Sequence, residues 1–302
     1  MWRSRLVRWG RRTAIFIRGP RALRWFHRGV VTERKHEHHR CDRQLDQGEQ
    51  HDQKPQRHRH RCYYCLVATR RGSELATLAE EVSRCRRCPR LVAWREQVAC
   101  ERRAAFANEQ YWARPLPGFG DPRARALILG LAPAAHGGNR TGRIFTGDRS
   151  GDFLFAALAR CGFANQPTSR HRDDGLELRD MWITAAVRCA PPANRPTPAE
   201  RDMCLPWTAR ELTLLTNARV LLCLGVFAWD AALRLIAGAP GKVAVPPRPR
   251  PRFAHGAQFS RERYTLVGCY HPSQQNTFTG RLTEAMLDQI LLRVRDLAER
   301  SR

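Results

Sequence analysis

Four short, nearly unbroken apolar runs recur along the chain: ALILGLA (126–132), MWITAAV (181–187), ARVLLCLG (218–225) and YTLVGCY (264–270). None alternates polar with apolar positions, which is how a strand covered on both faces reads. Helical patterns lie between and after them. DFLFAALARCG and VFAWDAALRLIAG each end on a glycine suited to stop a helix. TPAERDMCLPWTARELTLL opens with Thr197 as N-cap, Pro198 at the first helical position and Glu200 at the third, a capping box. LTEAMLDQILLRVRDLAER carries Leu282, Met286, Ile290, Val294 and Leu297 along one face. This alternation predicts an α/β fold: three α/β/α layers around a central, mainly parallel four-stranded sheet.

The folded pattern starts at SELATLAEEVSRC, with Ser73 as cap of a helix whose first turn begins at Glu74. The expected division is therefore residues 74–302 as one domain and residues 1–73 as an N-terminal extension. That extension is rich in Arg, His and Gln and poor in periodic apolar positions, so it reads as disordered. A dispensable or mis-started segment and an organellar presequence both fit it. The apolar run of its opening segment, AIFI, is too short for a secretory core or a membrane span. The Pro- and Gly-rich segment 237–256 reads as a surface loop. In open α/β sheets ligands bind beyond the carboxyl ends of the strands, so the segments that follow the apolar runs are the ones to search.

The formal charge of +25 over 302 residues exceeds what solubility needs and points to an extended anion, nucleic acid first. No membrane segment is expected, and the folded part reads as a soluble intracellular protein. Eleven cysteines in such a chain suggest metal or cluster ligation, or buried thiols, rather than a disulfide framework. Cys85 and Cys88 form a CxxC; Cys189 and Cys204 bracket the start of the capped helix. An iron-sulfur cluster and a structural zinc both fit these spacings, as do four unligated thiols. Cys62 and Cys65 make a second CxxC beside several histidines, while Cys161, Cys223 and Cys269 fall in core patterns.

After the first strand comes GLAPAAHGGNRTGRIFTGDRSG (130–151). Its glycines permit close backbone approach to a ligand, but it lacks the Gly-Lys-Ser/Thr ending of a Walker loop, which argues against nucleoside triphosphates. Asp148 precedes Ser150, read as a helix N-cap, and a role supporting that helix start is its structural alternative. After the last strand comes HPSQQNTFTGRLT (271–283), where His271 would face a cleft. These two segments and the four cysteines together resemble the type 5 uracil-DNA glycosylases, an iron-sulfur branch of the uracil-DNA glycosylase superfamily. The resemblance spans residues 74 to 302 and does not reach the extension.

The resemblance implies hydrolysis of the N-glycosidic bond of uracil in DNA, with base flipping, water attack and an abasic product. It implies a 4Fe-4S cluster on Cys85, Cys88, Cys189 and Cys204. It makes Phe145 the stacking residue, Asp148 the residue that orients or deprotonates water, and His271 a donor to the departing base. Ala132, in a stretch with no polar side chain, and Phe145 would line the base, and Gln275, Asn276 and Thr277 would fill the vacated stack. Arg140, Arg143, Ser273 and Arg281 would contact DNA. One departure stands out: relatives often carry Asn where this chain has Ala185 in ITAAVRC. Losing that amide predicts a broad range of deaminated or damaged bases, hypoxanthine and ethenocytosine included, with Asn194 as a compensating amide. The expected protein is a monomer acting on damaged DNA in the cytoplasm of a bacterium, at the nucleoid during repair. A non-catalytic, zinc-stabilised nucleic-acid-binding protein is the alternative.

Overall fold

The sheet of the computed structural model, which describes residues 70–300, has six strands: β1 (Phe119–Gly120), β2 (Ala126–Gly130), β3 (Met181–Ala185), β4 (Val220–Leu224), β5 (Gln258–Arg261) and β6 (Tyr264–Cys269). Their order is β1-β3-β2-β4-β6-β5. The four apolar runs supply the parallel centre, with β2 between β3 and β4 and β6 beyond β4. Edge strands β1 and β5 pair antiparallel with β3 and β6. The expected four-stranded sheet is thus the core of a six-stranded one. β1 is only two residues long, and β5 alternates exposed and half-buried positions, so neither shows an apolar run.

The helices are α1 (Arg70–Ser83), α2 (Pro89–Glu101), α3 (Gly138–Thr141), α4 (Arg149–Arg160), α5 (Pro198–Leu214), α6 (Val226–Ala237), α7 (Gln274–Phe278) and α8 (Glu284–Arg300). Successive strand residues point to opposite faces. Ile128, Ile183 and Leu222 accordingly enter one core with Leu154 and Leu158 of α4 and Leu287, Ile290 and Val294 of α8. Leu127, Leu129, Leu221 and Cys223 enter the other with Leu205 and Ala209 of α5 and Trp229 and Leu233 of α6. This is the three-layer α/β/α arrangement, and Cys161, Cys223 and Cys269 are buried in it as expected.

Two helix starts differ from expectation. α1 begins at Arg70, so Ser73 lies within it, its carbonyl accepting from Thr77 Oγ1 at 3.0 Å. α4 begins at Arg149, and its N-cap is Asp148 rather than Ser150. The capping box at Thr197 and Glu200 forms as read, with both reciprocal bonds present. Residues 1–69, including the expected extension and Cys62 and Cys65, lie outside the described residues. Among the described residues no helix is long and apolar enough to cross a membrane.

Candidate active site

The segments leaving β2 and β6 meet at the carboxyl edge of the sheet, beside the point where the chain turns from one side of β2 to the other. Phe145 is buried and left-handed at φ 55°. Its ring lies over the end of β2: a Cβ on Gly130 would stand 2.9 Å from its Cε2 and Cζ atoms. The His271 imidazole faces it, with ring centroids 5.9 Å apart and planes tilted by 36°. Gly225, at the end of β4, backs His271; a Cβ there would sit 3.5 Å from the His271 Cβ. Three strand ends therefore supply the floor of one site.

Desolvation pushes the His271 imidazole down to about 4, so it is neutral at physiological pH. Asp148 moves the other way: burial raises its carboxyl, offset in part by hydrogen bonds from the Gly151 and Ser150 backbone and by Arg140. Its Oδ1 accepts from Gly151 N at 3.0 Å, which caps α4. Its Oδ2 occupies the space a side chain at Gly137 would need, 2.2 Å from where that Cβ would be. One carboxylate oxygen is thus committed to the helix, and the other faces the glycine-rich segment.

Cys85, Cys88, Cys189 and Cys204 line one small cavity with Leu91, Val92, Pro115 and Trp207. Two donors already point at its sulfurs: Arg95 Nη1 lies 2.9 Å from Cys189 Sγ, and Arg188 N lies 3.3 Å from Cys204 Sγ. Burial pushes the Cys189 thiol up to about 11 and the Cys204 thiol up to about 12, so a bound cation or cluster is what would hold them as thiolates. Among the described residues no three His, Cys, Asp or Glu side chains close on one point as a single-ion site. Ala132 packs against this cysteine cluster from the segment after β2.

Several expected DNA contacts are occupied within the protein. Arg143 is buried, and its guanidinium binds both oxygens of Asp174 at 2.7 and 2.8 Å, Ser169 Oγ at 2.8 Å and Thr146 Oγ1 at 3.0 Å. It braces the glycine-rich segment and is not offered to a phosphate. Arg140 pairs with Glu109, donates to the His136 and Gly147 carbonyls at 2.8 and 3.1 Å, and covers the Phe106 ring. Asn276 Nδ2 donates to the His271 carbonyl at 2.8 Å, and Thr277 Oγ1 to the Ser273 carbonyl at 3.2 Å. These two hold the segment after β6 in shape rather than project from it. Ser273 caps α7 without a side-chain bond, Gln275 is exposed, and Arg281 is exposed beside the Tyr270 ring. Asn194 is exposed on a short 3-10 turn, where it and Ala193 are both left-handed.

One residue that sequence reasoning passed over stands out. Phe278, at the end of α7, is 69% exposed, and the Arg149 guanidinium lies 5.7 Å from its ring. Arg149 adjoins Asp148, so this bare aromatic sits at the rim of the same site. Its only sequence signal is being the one aromatic in an otherwise polar run, QQNTFTG.

Residues 117–295 match the family model described as the uracil DNA glycosylase superfamily. A type-5 uracil-DNA glycosylase of Mycobacterium tuberculosis is 57% identical over 219 residues, covering 72% of this chain and 79% of its own. Proteins of the same name from Mycobacterium leprae and Thermus thermophilus are 54% and 50% identical, covering 75% and 72% of this chain and 97% and 96% of their own.

Proposed function

Because this chain belongs to the uracil-DNA glycosylase superfamily, in its type-5 branch, we propose that it is a DNA-repair hydrolase that releases uracil from DNA and leaves an abasic site. The observation that carries the reading is a half-buried, desolvated and neutral His271 within ring contact of Phe145 at the carboxyl edge of the sheet. A flipped base stacks on the Phe145 face. As the C1′–N bond breaks, the base leaves with the electron pair. A neutral imidazole can donate to the base oxygen where that charge collects and keeps its own proton. Water attacks C1′ and its proton passes to Asp148, whose raised pKa makes it a stronger base than an exposed carboxylate. The same negative charge stabilises the cationic sugar.

The donor set of Cys85, Cys88, Cys189 and Cys204 fits a 4Fe-4S cluster: four sulfurs around an apolar cavity, with N–H groups directed at two of them. When bound, that group supplies a cross-link between α2, the segment after β3 and α5; hydrolysis draws on no electron from it. Ala185 at the end of β3 is fully buried in the core that holds Phe145, and carries a methyl where the resemblance leads one to expect an amide. On this reading the pocket accepts hypoxanthine and ethenocytosine beside uracil, with Asn194, exposed on its 3-10 turn, as the compensating amide. Arg281, Gln275, Ser273 and Phe278 form the DNA-facing rim. The protein acts as a monomer, in the bacterial cytoplasm, on damaged nucleoid DNA. The zinc-stabilised binding protein leaves Phe145, Asp148 and His271 without a role.

The deciding experiment is base release by the full chain, wild type beside Asp148→Asn, from matched duplexes holding uracil or hypoxanthine. A loss of about a hundredfold or more in the variant is expected. Equal rates would remove Asp148 from the mechanism, and strict uracil selectivity in the wild type would remove the broad base range.

A further inference from the structure

Arg95, on α2, is 2% exposed, yet its guanidinium has no carboxylate within hydrogen-bond distance. The nearest, Glu96 Oε1, lies 3.7 Å from Nη2 and is bound by Arg86. The contacts it does make are to Cys189 Sγ at 2.9 Å and to the Cys85 carbonyl at 3.3 and 3.4 Å, and its Nε has no partner. A buried cation whose one neighbouring carboxylate is out of hydrogen-bond reach and shared with Arg86 is poorly compensated. Neutral thiols do not relieve it; a set of thiolates holding a metal group does, because four thiolates give either a 4Fe-4S cluster or a zinc site net negative charge.

The other side of the same residue reaches the active-site segment. The Arg95 carbonyl accepts from Asn139 Nδ2 at 3.1 Å, and Asn139 is fully buried. Asn139 is a hub of the glycine-rich segment: its N–H donates to the Ala134 carbonyl and its carbonyl accepts from Ala113 N, both at 3.1 Å. The next residue, Arg140, holds the Gly147 carbonyl at 3.1 Å, directly before Asp148.

We propose that Arg95 is the counter-charge of the cysteine site and the positioning residue through which that site holds the glycine-rich segment bearing Phe145 and Asp148. The inference rests on the assignment of the four cysteines made above. Arg95 gives the bound group a charge-assisted N–H···S bond, which withdraws electron density from sulfur and favours the reduced state. In return, the negative group fixes Arg95, and with it the carbonyl that anchors Asn139. Removing either partner loosens the other end.

The test compares full-length, group-loaded wild type with Arg95→Met, Arg95→Lys and Asn139→Ala. Three quantities are read: the absorption band near 400 nm and its decay under an iron chelator, the midpoint potential, and amide hydrogen exchange across residues 133–148. For Arg95→Met we expect bleaching at least about tenfold faster, a more negative potential, and exchange in the segment about tenfold faster. Arg95→Lys keeps the charge and should fall between wild type and Arg95→Met. Asn139→Ala should bleach as wild type does, yet exchange faster in the segment. Wild-type bleaching and potential in Arg95→Met overturn the proposal, as does a potential in Arg95→Lys equal to that of Arg95→Met. If Arg95→Met does not accumulate, unchanged exchange in Asn139→Ala overturns the link to the segment. A wild type that holds zinc and shows no band overturns the cluster instead; Arg95 is then tested by zinc loss to a chelator, since the zinc–thiolate site carries the same negative charge.

Discussion

Desolvation of His271 ties stability to pH in a way that can be separated from every other titrating group. The folded protein lowers this imidazole from 6.5 to about 4 by desolvation. Between those values the unfolded chain binds a proton that the folded protein refuses, so stability falls as pH drops. The contribution is complete above about pH 6.5 and gone below about pH 4. At about 1.4 kcal/mol per pH unit the full span is on the order of 3 kcal/mol, and the part lost between pH 6.5 and pH 5 is about 2 kcal/mol. Urea unfolding of wild type and His271→Asn at pH 7.5 and pH 5 measures it. His136 and His255 are also lowered by burial, but both proteins carry them and their terms cancel in the difference. Relative to the variant, the wild type should lose about 2 kcal/mol on going to pH 5. A stability gap that is the same at both pH values, or a His271 ring that titrates near 6.5 by NMR, would refute the desolvated neutral imidazole. With it would go the argument that this donor assists the leaving base without releasing its own proton.

Gly130→Ala places a methyl 2.9 Å from the Phe145 ring; the displaced ring should lower stability by about 1–3 kcal/mol and uracil release by roughly tenfold, read from thermal unfolding and single-turnover kinetics. Phe278→Ala removes an aromatic that is 69% exposed at the rim of the site. If its ring stacks on bases next to a flipped nucleotide, the ratio of duplex to single-strand kcat/KM should fall about tenfold, and an unchanged ratio would exclude that role. Thr197→Ala breaks the capping box of α5 and should cost about 1 kcal/mol in urea unfolding; because Cys204 lies on that helix, the absorption band near 400 nm should also fade at lower urea than in wild type.

What could be read from the chain, and what could not, follows from the range of the interactions. Strands buried on both faces announce themselves through their own composition, as with ALILG and VLLCL, and a capping box is written within four consecutive positions at Thr197. The edge strands carry no such mark: QFSR becomes β5 only because β6 offers it an open edge. Arg143 read as a DNA contact because the sequence does not reveal that Asp174, in the connection between α4 and β3, will meet it in the core. The same limit applies to Asn276 and Thr277, whose polar side chains look free until their own backbone claims them. Distant partners, not local pattern, decide whether a polar side chain is offered to a ligand.

Asp148 brings the two kinds of information together. Sequence position alone left it between a helix support and a catalytic carboxylate, and the geometry makes these compatible. Oδ1 is held by Gly151 N, which orients the group and stabilises its charge at the start of α4. Oδ2 is aimed at Gly137, into the space a side chain there would fill. Burial raises the pKa while the cap restrains the rise, so the carboxyl is poorly solvated yet held by backbone donors. A cap that merely supported a helix would gain nothing from that desolvation. Asp148→Asn can still cap α4 through its side-chain oxygen, so a variant that retains stability while losing base release would separate the two roles of the one residue.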